Sequence, residues 1–195
     1  MKKLIGFLLL SVAVFGQSVS FPGPGSPASS AVIPYLYYGP GCVGTSTKTC
    51  TVANTAYNFQ AGYTAGASFT TGTNAAGYTA THCGFYANAG TTAHWRCAIY
   101  KSGSPATLVT NCNQTSDNSL VATPSWQESA MPAGCTLAAS TLYFVQFEFS
   151  GSGQTRYQSA SSGGGYIGMA YGAWATSPTI IGTAFYSSYA KVTAN

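Results

Sequence analysis

Short segments in which apolar and polar side chains alternate constrain the fold of this chain more than any other feature. The clearest is residues 141–149, where every second position is apolar: Tyr143, Val145, Phe147 and Phe149. A period of two places these side chains on one face of a β-strand. We find no helical period after residue 50. Roughly eight such segments between turn-rich patches predict an all-β chain, folded as an antiparallel two-sheet β-sandwich with jelly-roll-like connectivity.

Six cysteines are spread over the chain after its first forty residues. An even number of cysteines in an oxidising compartment favours three disulfides, although six cysteines allow 15 connectivities in principle. A zinc site is the alternative, but the sequence contains no C-x-x-C pair. Pairing of neighbours suits consecutive hairpins and predicts the bonds Cys42 to Cys50, Cys83 to Cys97 and Cys112 to Cys135.

Two of these cysteines lie on predicted neighbouring strands, residues 79–87 and 94–101. If Cys83 bonds to Cys97 across one hairpin, the register places Tyr86 opposite His94 and Gly84 opposite Arg96. The register would then gather several polar and aromatic side chains on the non-core face of a single sheet.

The first twenty residues have the layout of a secretory signal peptide. Lys2 and Lys3 precede an apolar run over residues 4–15, and small residues follow at Gly16, Ser18 and Ser20. The run is shorter than the ~20 residues that a membrane-spanning helix needs. We therefore predict residues 1–20 as the signal of a secreted, extracellular or cell-surface protein, with no membrane segment after its cleavage.

A segment rich in proline and glycine, residues 21–41, follows the signal and should be mostly extended. Within it, residues 31–38 are apolar and predict a first edge strand, since Pro34 is tolerated at a sheet edge. The alternative is a strand that pairs with a neighbouring subunit and so mediates self-association. Residues 42–195 are predicted to form the β-sandwich domain, in a chain that ends without an anchor segment.

The sequence is poor in charge, with 5% charged residues against a typical ~25%. Removal of Lys2 and Lys3 with the signal lowers the formal net charge from +4 to +2. Binding of a polyanion by counterion release requires several clustered basic residues. We therefore expect no nucleic-acid partner.

Catalytic and metal-binding patterns are weak, and we predict no catalytic residue, metal or cofactor. The carboxylates after the signal are Asp117, Glu128 and Glu148, so a glycosidase pair is conceivable but poorly supported. No G-x-S-x-G motif for a serine hydrolase is present. In the predicted register His82 and His94 lie four residues out of line, which disfavours a shared metal.

The aromatic content gives the positive indication of a binding site. Fourteen tyrosines and three tryptophans exceed what one core of this size needs to bury. Flat rings flanked by polar groups suit sugar rings, which have an apolar face and a rim of hydroxyls. The alternative is that this sheet face packs on the second sheet or on a neighbouring chain. The candidate ligand-binding residues are Tyr86, His94, Arg96 and Tyr100 on one sheet face, with Trp126 and Trp174 at loops or strand ends.

Three motifs resemble a pattern found in bacterial exported surface modules. They are AIYKSGSPATLV at residues 98–109, the tryptophan-bearing strand at residues 125–129 and TLAASTLYFVQF at residues 136–147. Together they are similar to choice-of-anchor-like and carbohydrate-binding-module-like jelly-roll domains, over about a third of the mature chain. The resemblance implies the fold more than a function. The six cysteines are not part of that pattern, and such modules usually precede an anchor.

Two functions from different classes are consistent with these features. One is a non-catalytic extracellular module that binds polysaccharide or cell-surface glycans in adhesion. The other is a self-assembling structural subunit of a surface layer or filament, built by exchange of the strand at residues 31–38, since low charge weakens the repulsion that keeps proteins monomeric. A small glycan-active enzyme that uses Glu128 and Glu148 is a third, weaker possibility.

Overall fold

The computed structural model describes residues 35–62, 64–89, 93–159, 164–165, 167–181 and 184–195, which belong to one compact unit. The predicted signal at residues 1–20, most of the segment 21–41 and the first part of the strand 31–38 lie outside the described residues. The part of the chain that the structure describes contains no helix of the length and hydrophobicity needed to cross a membrane.

The described residues form β-strands and no helix, as the alternating pattern predicts. The strands in chain order are β1 (Leu36–Gly39), β2 (Cys42–Thr45), β3 (Thr55–Phe59), β4 (Thr64–Thr70), β5 (Tyr78–Ala89), β6 (His94–Lys101), β7 (Thr107–Asn113), β8 (Asn118–Ser119), β9 (Ser125–Ala130), β10 (Thr136–Leu137), β11 (Leu142–Phe149), β12 (Gly153–Ser159), β13 (Gly164–Gly165), β14 (Ala184–Tyr186) and β15 (Ser188–Ala194).

These strands form two antiparallel sheets that face each other in a β-sandwich. Sheet I has nine strands and the order β14-β12-β5-β15-β1-β2, with β3 paired to β12 and with β9 and β10 paired to β5. Sheet II has six strands and the order β13-β4-β11-β6-β7, with β8 paired to β6. The prediction of an all-β, two-sheet antiparallel sandwich is confirmed, while its jelly-roll connectivity stays a prediction.

The core lies between the sheets and is filled by the inward positions of the alternating strands. On β11 the predicted residues Tyr143, Val145, Phe147 and Phe149 are all buried. Rings from both sheets meet there, since the centroid of Phe85 on β5 lies 4.7 Å from that of Phe147. Burial of such large aromatic side chains is the main favourable contribution to folding.

All three predicted disulfides are present: Cys42 to Cys50, Cys83 to Cys97 and Cys112 to Cys135. No cysteine among the described residues is free. Three disulfides in one small domain indicate an oxidising, extracellular type of environment.

The predicted hairpin register around Cys83 and Cys97 is wrong. β5 belongs to sheet I and β6 to sheet II, so the bond joins the two sheets through the core instead of two neighbouring strands. Tyr86 pairs with Trp126 of β9 rather than with His94. The alternation could not distinguish the two arrangements, because both of them point the cysteine side chains into the core.

The N-terminal strand lies inside sheet I and not at its edge. β1 pairs with β15 on one side and with β2 on the other. Its Tyr38 is 3% exposed, and the Tyr38 hydroxyl accepts a hydrogen bond from Gly72 N at 3.1 Å. The expectation of an edge strand is therefore wrong for the described part of this segment, and the sandwich begins before Cys42.

Candidate functional site

The outer positions of four strands of sheet I carry a continuous group of aromatic side chains. On one side of β5, Tyr86 lies opposite Trp126 of β9. On the other side, Tyr189 of β15 lies opposite Gly84, and β1 adds Tyr37 next to β15. We call this surface the aromatic face; its rings are Tyr35, Tyr37, Tyr86, Trp126 and Tyr189, and its charged or titratable groups are Lys48, His82, Glu128 and Lys191.

The rings of the aromatic face contact one another in sequence. The centroid of Trp126 lies 5.8 Å from that of Tyr86 and 5.2 Å from that of Tyr189. The centroid of Tyr189 lies 5.4 Å from that of Tyr37 in an edge-to-face arrangement. These distances fall in the range of favourable aromatic pairs. The rings therefore support one another and hold a fixed relative orientation.

The exposure of these rings divides them into a base and a rim. Tyr189 is 0% exposed and forms the base. Tyr37, Tyr86 and Trp126 are half-buried, and Tyr35 is 43% exposed. Partly exposed rings fixed by their neighbours can contact a ligand without a large cost in side-chain entropy.

Gly84 determines how Tyr189 lies on the sheet. A Cβ atom at Gly84 would collide with the ring of Tyr189, so only glycine lets that ring lie across β5. The ring then spans the strand, and its hydroxyl donates a hydrogen bond to Glu128 Oε2 on β9 at 2.7 Å. Burial, together with this hydrogen bond, raises the pKa of Tyr189 well above its usual value.

A pair of opposite charges lies at the centre of the aromatic face. Lys191 Nζ donates to Glu128 Oε1 at 3.0 Å, and the same ammonium lies 4.4 Å from the ring centroid of Tyr35. Partial burial opposes ionisation of Glu128, but the hydrogen bonds from Tyr189 and Lys191 prevail and lower its pKa. Burial lowers the pKa of His82, which is therefore neutral at pH 7.

A disulfide-closed loop brings a second lysine to the same surface. The Cys42–Cys50 bond packs on Tyr189, with Tyr37 and Trp126 beside it. Within this loop Lys48 is exposed, and its Nζ lies 5.3 Å from the ring centroid of Trp126 and 5.7 Å from that of Tyr189. Both distances are typical of cation–π contacts.

A groove of about 500 Å³ adjoins the aromatic face and shares Trp126 and Glu128 with it. Its lining also includes Asn118, the first residue of β8 in sheet II, and the preceding Asp117. The groove supplies amide and carboxylate groups next to the half-buried indole of Trp126.

The outer face of sheet II is covered by residues 167–181, which we call the covering segment. Apolar side chains of the segment, among them Ile167 and Trp174, pack on Ala98 and Tyr100. Tyr100 is 0% exposed, and its hydroxyl donates to Ala175 O at 3.0 Å. Such burial explains why three outward positions of β6 and β11, namely Ala98, Tyr100 and Phe144, are apolar.

Charged groups lie at one end of this covered surface. Arg96 Nε donates to Asp117 Oδ1 at 2.7 Å, and the Tyr171 hydroxyl donates to the same oxygen at 2.8 Å. The hydrogen bonds from Tyr171 and Arg96 lower the pKa of Asp117. Glu148 is 1% exposed, and its Oε2 accepts a hydrogen bond from Gly172 N of the covering segment at 3.1 Å.

Three buried side-chain atoms among the described residues have no hydrogen-bond partner, and all belong to outward positions of sheet II. They are His94 Nδ1, Gln146 Nε2 and Glu148 Oε1. An unsatisfied buried polar group costs about 1–3 kcal/mol. The covering segment therefore closes over this surface at a cost in stability, which the apolar contacts around Tyr100 and Trp174 offset.

We expect Glu148→Gln to raise the free energy of unfolding at pH 7 by about 1 kcal/mol. The substitution removes a buried charge, and the amide oxygen of glutamine can still accept the hydrogen bond from Gly172 N. Burial raises the pKa of Glu148, so the folded state binds its proton more tightly than the unfolded chain does. The contribution of Glu148 to stability is therefore fully present below the unfolded pKa of ~4.3 and is lost as the pH rises through the folded pKa.

Urea unfolding of both proteins at pH 3.5, 5.5 and 7.5 checks this expectation. The two free energies should agree at the lowest pH and diverge as the pH rises. A constant difference at all three values would contradict the assignment of a buried, proton-binding Glu148.

The predicted site residues fall on two opposite surfaces. Tyr86 and Trp126 lie together on the aromatic face, whereas the other four candidates, His94, Arg96, Tyr100 and Trp174, lie on or over sheet II. The prediction of one shared face is therefore wrong. Its cause is the mistaken hairpin, which placed β5 and β6 side by side.

Several members of the aromatic face were missed by sequence reasoning. On β15, Tyr189 and Lys191 alternate with Ala190 and Val192, whose side chains point into the core. That alternation could have placed Tyr189 and Lys191 together on the outer face of the sheet. No local signal places Lys48 there, because the Cys42–Cys50 loop reaches Trp126 only through the tertiary fold.

Glu128 and Glu148, the two carboxylates of the enzymatic alternative, lie on opposite sides of the sandwich. Glu128 lies on the outer face of sheet I, and Glu148 lies on the opposite side of the sandwich beneath the covering segment. Glycosidase carboxylates flank a single bond and lie within ~10 Å of each other. Among the described residues, no cluster of three or more His, Cys, Asp or Glu side chains could hold a metal ion.

No known protein family matches the chain, and a search of the curated proteins finds no match. The similarity to bacterial exported surface modules stays an interpretation of the sequence motifs.

Proposed function

We propose that this is an exported, non-catalytic module that binds a polysaccharide or a cell-surface glycan on the aromatic face, in adhesion outside the cell. The observation that carries the proposal is the connected row of rings from Tyr86 through Trp126 and Tyr189 to Tyr37. Such rings are pre-ordered by their neighbours, and Tyr37, Tyr86 and Trp126 remain partly exposed.

The aromatic face is chemically complementary to sugar rings. Their C–H faces are apolar and pack on aromatic rings, while their hydroxyls need donors and acceptors around the rim. On the aromatic face Glu128 accepts, Lys191 donates and His82 can do either. The groove beside Trp126 adds further polar groups for a second sugar unit.

The export part of the proposal is supported by the signal-like residues 1–20 and by three disulfides. Aromatic rings with a few polar groups can hold a ligand without a cluster of charges, which fits the low charge of this chain. Retention of the purified mature protein on insoluble polysaccharides and on a glycan array tests the function. Absence of retention on every glycan would contradict it.

The second candidate is a self-assembling subunit, and the exposed edge of sheet I is the observation that favours it. Among the described strands β2 is the last of the sheet, and its Val43 is 76% exposed. An unprotected edge can pair with another chain. Exchange of the N-terminal strand would, however, require β1 to leave its place between β15 and β2.

We expect the mature protein to remain monomeric at high concentration, because β1 is already paired on both sides within its own chain. Light scattering at increasing protein concentration, combined with electron microscopy, checks this expectation. Filaments or a rise in mass that removal of residues 21–34 abolishes would instead support the self-assembling subunit.

A further inference from the structure

Lys48 occupies a position on the aromatic face that a ligand would also use. Its ammonium lies over the rings of Trp126 and Tyr189, on the exposed side of the stack. The Cys42–Cys50 bond closes the loop that carries it, with a sequence separation of eight residues. The lysine is therefore held near the rings, while its long side chain can still move aside.

Within the part of the chain that the structure describes, Lys48 has no local counterion. Both oxygens of Glu128 are already engaged, one by Tyr189 and the other by Lys191. His82 is neutral at pH 7 because burial lowers its pKa. The described ion pairs are Lys191 with Glu128 and Arg96 with Asp117, and neither includes Lys48. The aromatic face consequently carries one uncompensated positive charge at neutral pH.

This arrangement treats neutral and acidic sugars differently. A neutral sugar that packs on Trp126 must displace the ammonium from the ring and gives it no new charged partner. A sugar with an anionic substituent displaces the same ammonium but offers it a carboxylate or sulfate oxygen. Hydrogen bonds between charged partners are roughly twice as strong as neutral ones, so the exchange favours the acidic sugar.

We propose that the aromatic face selects glycans with an anionic substituent, and that Lys48 is the residue that binds the anion. The inference rests on the proposed glycan-binding function and adds the chemical class of the ligand. A single lysine recognises one anionic group at a time, so this recognition differs from the clustered basic surfaces that hold polyanions such as nucleic acids.

Matched pairs of ligands test the inference. Oligogalacturonate is compared with its carboxyl-reduced form, and a sulfated galactan with its desulfated form, so that each pair differs only in the anion. Kd is measured by calorimetry for the wild type, Lys48→Met and Lys48→Arg. Lys101→Met serves as the control, because Lys101 is an exposed lysine at the end of β6 on sheet II.

We expect the wild type to bind at least one anionic ligand about tenfold more tightly than its neutral partner. Lys48→Met should remove that difference, whereas Lys48→Arg and Lys101→Met should keep it. Thermal unfolding of each variant verifies that it is folded at the temperature of the binding measurement. A difference in Kd within the oligogalacturonate pair identifies the anion as a carboxylate, and a difference within the galactan pair identifies it as a sulfate.

The failures of the two proposals are distinguishable. Equal binding of both members of every pair, or retention on neutral polysaccharides alone, overturns the selection by Lys48 and leaves the glycan-binding function intact. A preference for the anion that survives in Lys48→Met overturns the role of this residue. No binding to any acidic or neutral glycan overturns the function and the inference together.

Discussion

Replacement of both Cys83 and Cys97 by alanine should lower the free energy of unfolding by about 4 kcal/mol. The bond closes a loop with a sequence separation of 14 residues, and the loop-entropy account assigns about 3 kcal/mol to such a closure. Both side chains are 0% exposed between the sheets, so the lost sulfur atoms also leave a cavity that costs about 1 kcal/mol. Urea unfolding under non-reducing conditions measures the difference.

The matched control is the double replacement of Cys42 and Cys50, whose bond has a separation of eight residues. This bond lies outside the main core, over Tyr189, and should contribute about 2.5 kcal/mol through the shorter loop. If the Cys83 and Cys97 variant loses no more stability than this control, the bond does not join the two sheets as the structure describes.

Truncation of Trp126 to alanine should weaken glycan binding about thirtyfold. Trp126 contacts both Tyr86 and Tyr189, so it lies in the middle of the ring row. Central tryptophans in binding surfaces typically contribute 2 kcal/mol or more, and about 2 kcal/mol corresponds to a factor of about thirty in Kd. Trp126→Phe keeps an aromatic ring in place and should retain a larger part of the affinity.

Tyr171→Ala is the control for Trp126→Ala. Tyr171 is a half-buried aromatic residue of the covering segment, and it contacts Arg96 and Asp117 rather than any ring of the aromatic face. Its truncation removes one hydrogen bond to Asp117 in the groove lining and should change Kd far less than the truncation of Trp126. If Tyr171→Ala lost glycan binding while Trp126→Ala bound normally, the binding site would lie on the surface around Arg96 and not on the aromatic face.

Local patterning was sufficient to predict the fold class and much of the core. The apolar positions of β11 and the inward positions Trp95, Cys97 and Ile99 of β6 all lie in the core as their alternation predicts. The strand β4 was not predicted, because its sequence TAGASFT consists mostly of small residues and gives little contrast between its two faces. Small side chains suit this strand, since a Cβ atom at Gly66 would collide with Val145 O of β11.

The partner of each strand could not be predicted from alternation alone. A disulfide between two inward-facing cysteines fits neighbouring strands of one sheet and facing strands of two sheets equally well. The sequence therefore indicated Tyr86 and Trp126 as ligand candidates but grouped Tyr86 with His94 and Arg96. Long-range pairing of β15 with β5, which brings Tyr189 and Lys191 to the aromatic face, has no local signature.

Ligand-induced shifts of the indole N–H signals in NMR spectra test the central claim most directly. The chain has three tryptophans, and they report on three places: Trp126 on the aromatic face, Trp95 in the core and Trp174 over sheet II. Oligosaccharides from a polysaccharide that retains the protein are titrated into the labelled protein. A shift of the Trp126 signal, with the Trp174 signal in place, is the expected result. A shift of Trp174 with Trp126 unchanged would contradict binding on the aromatic face.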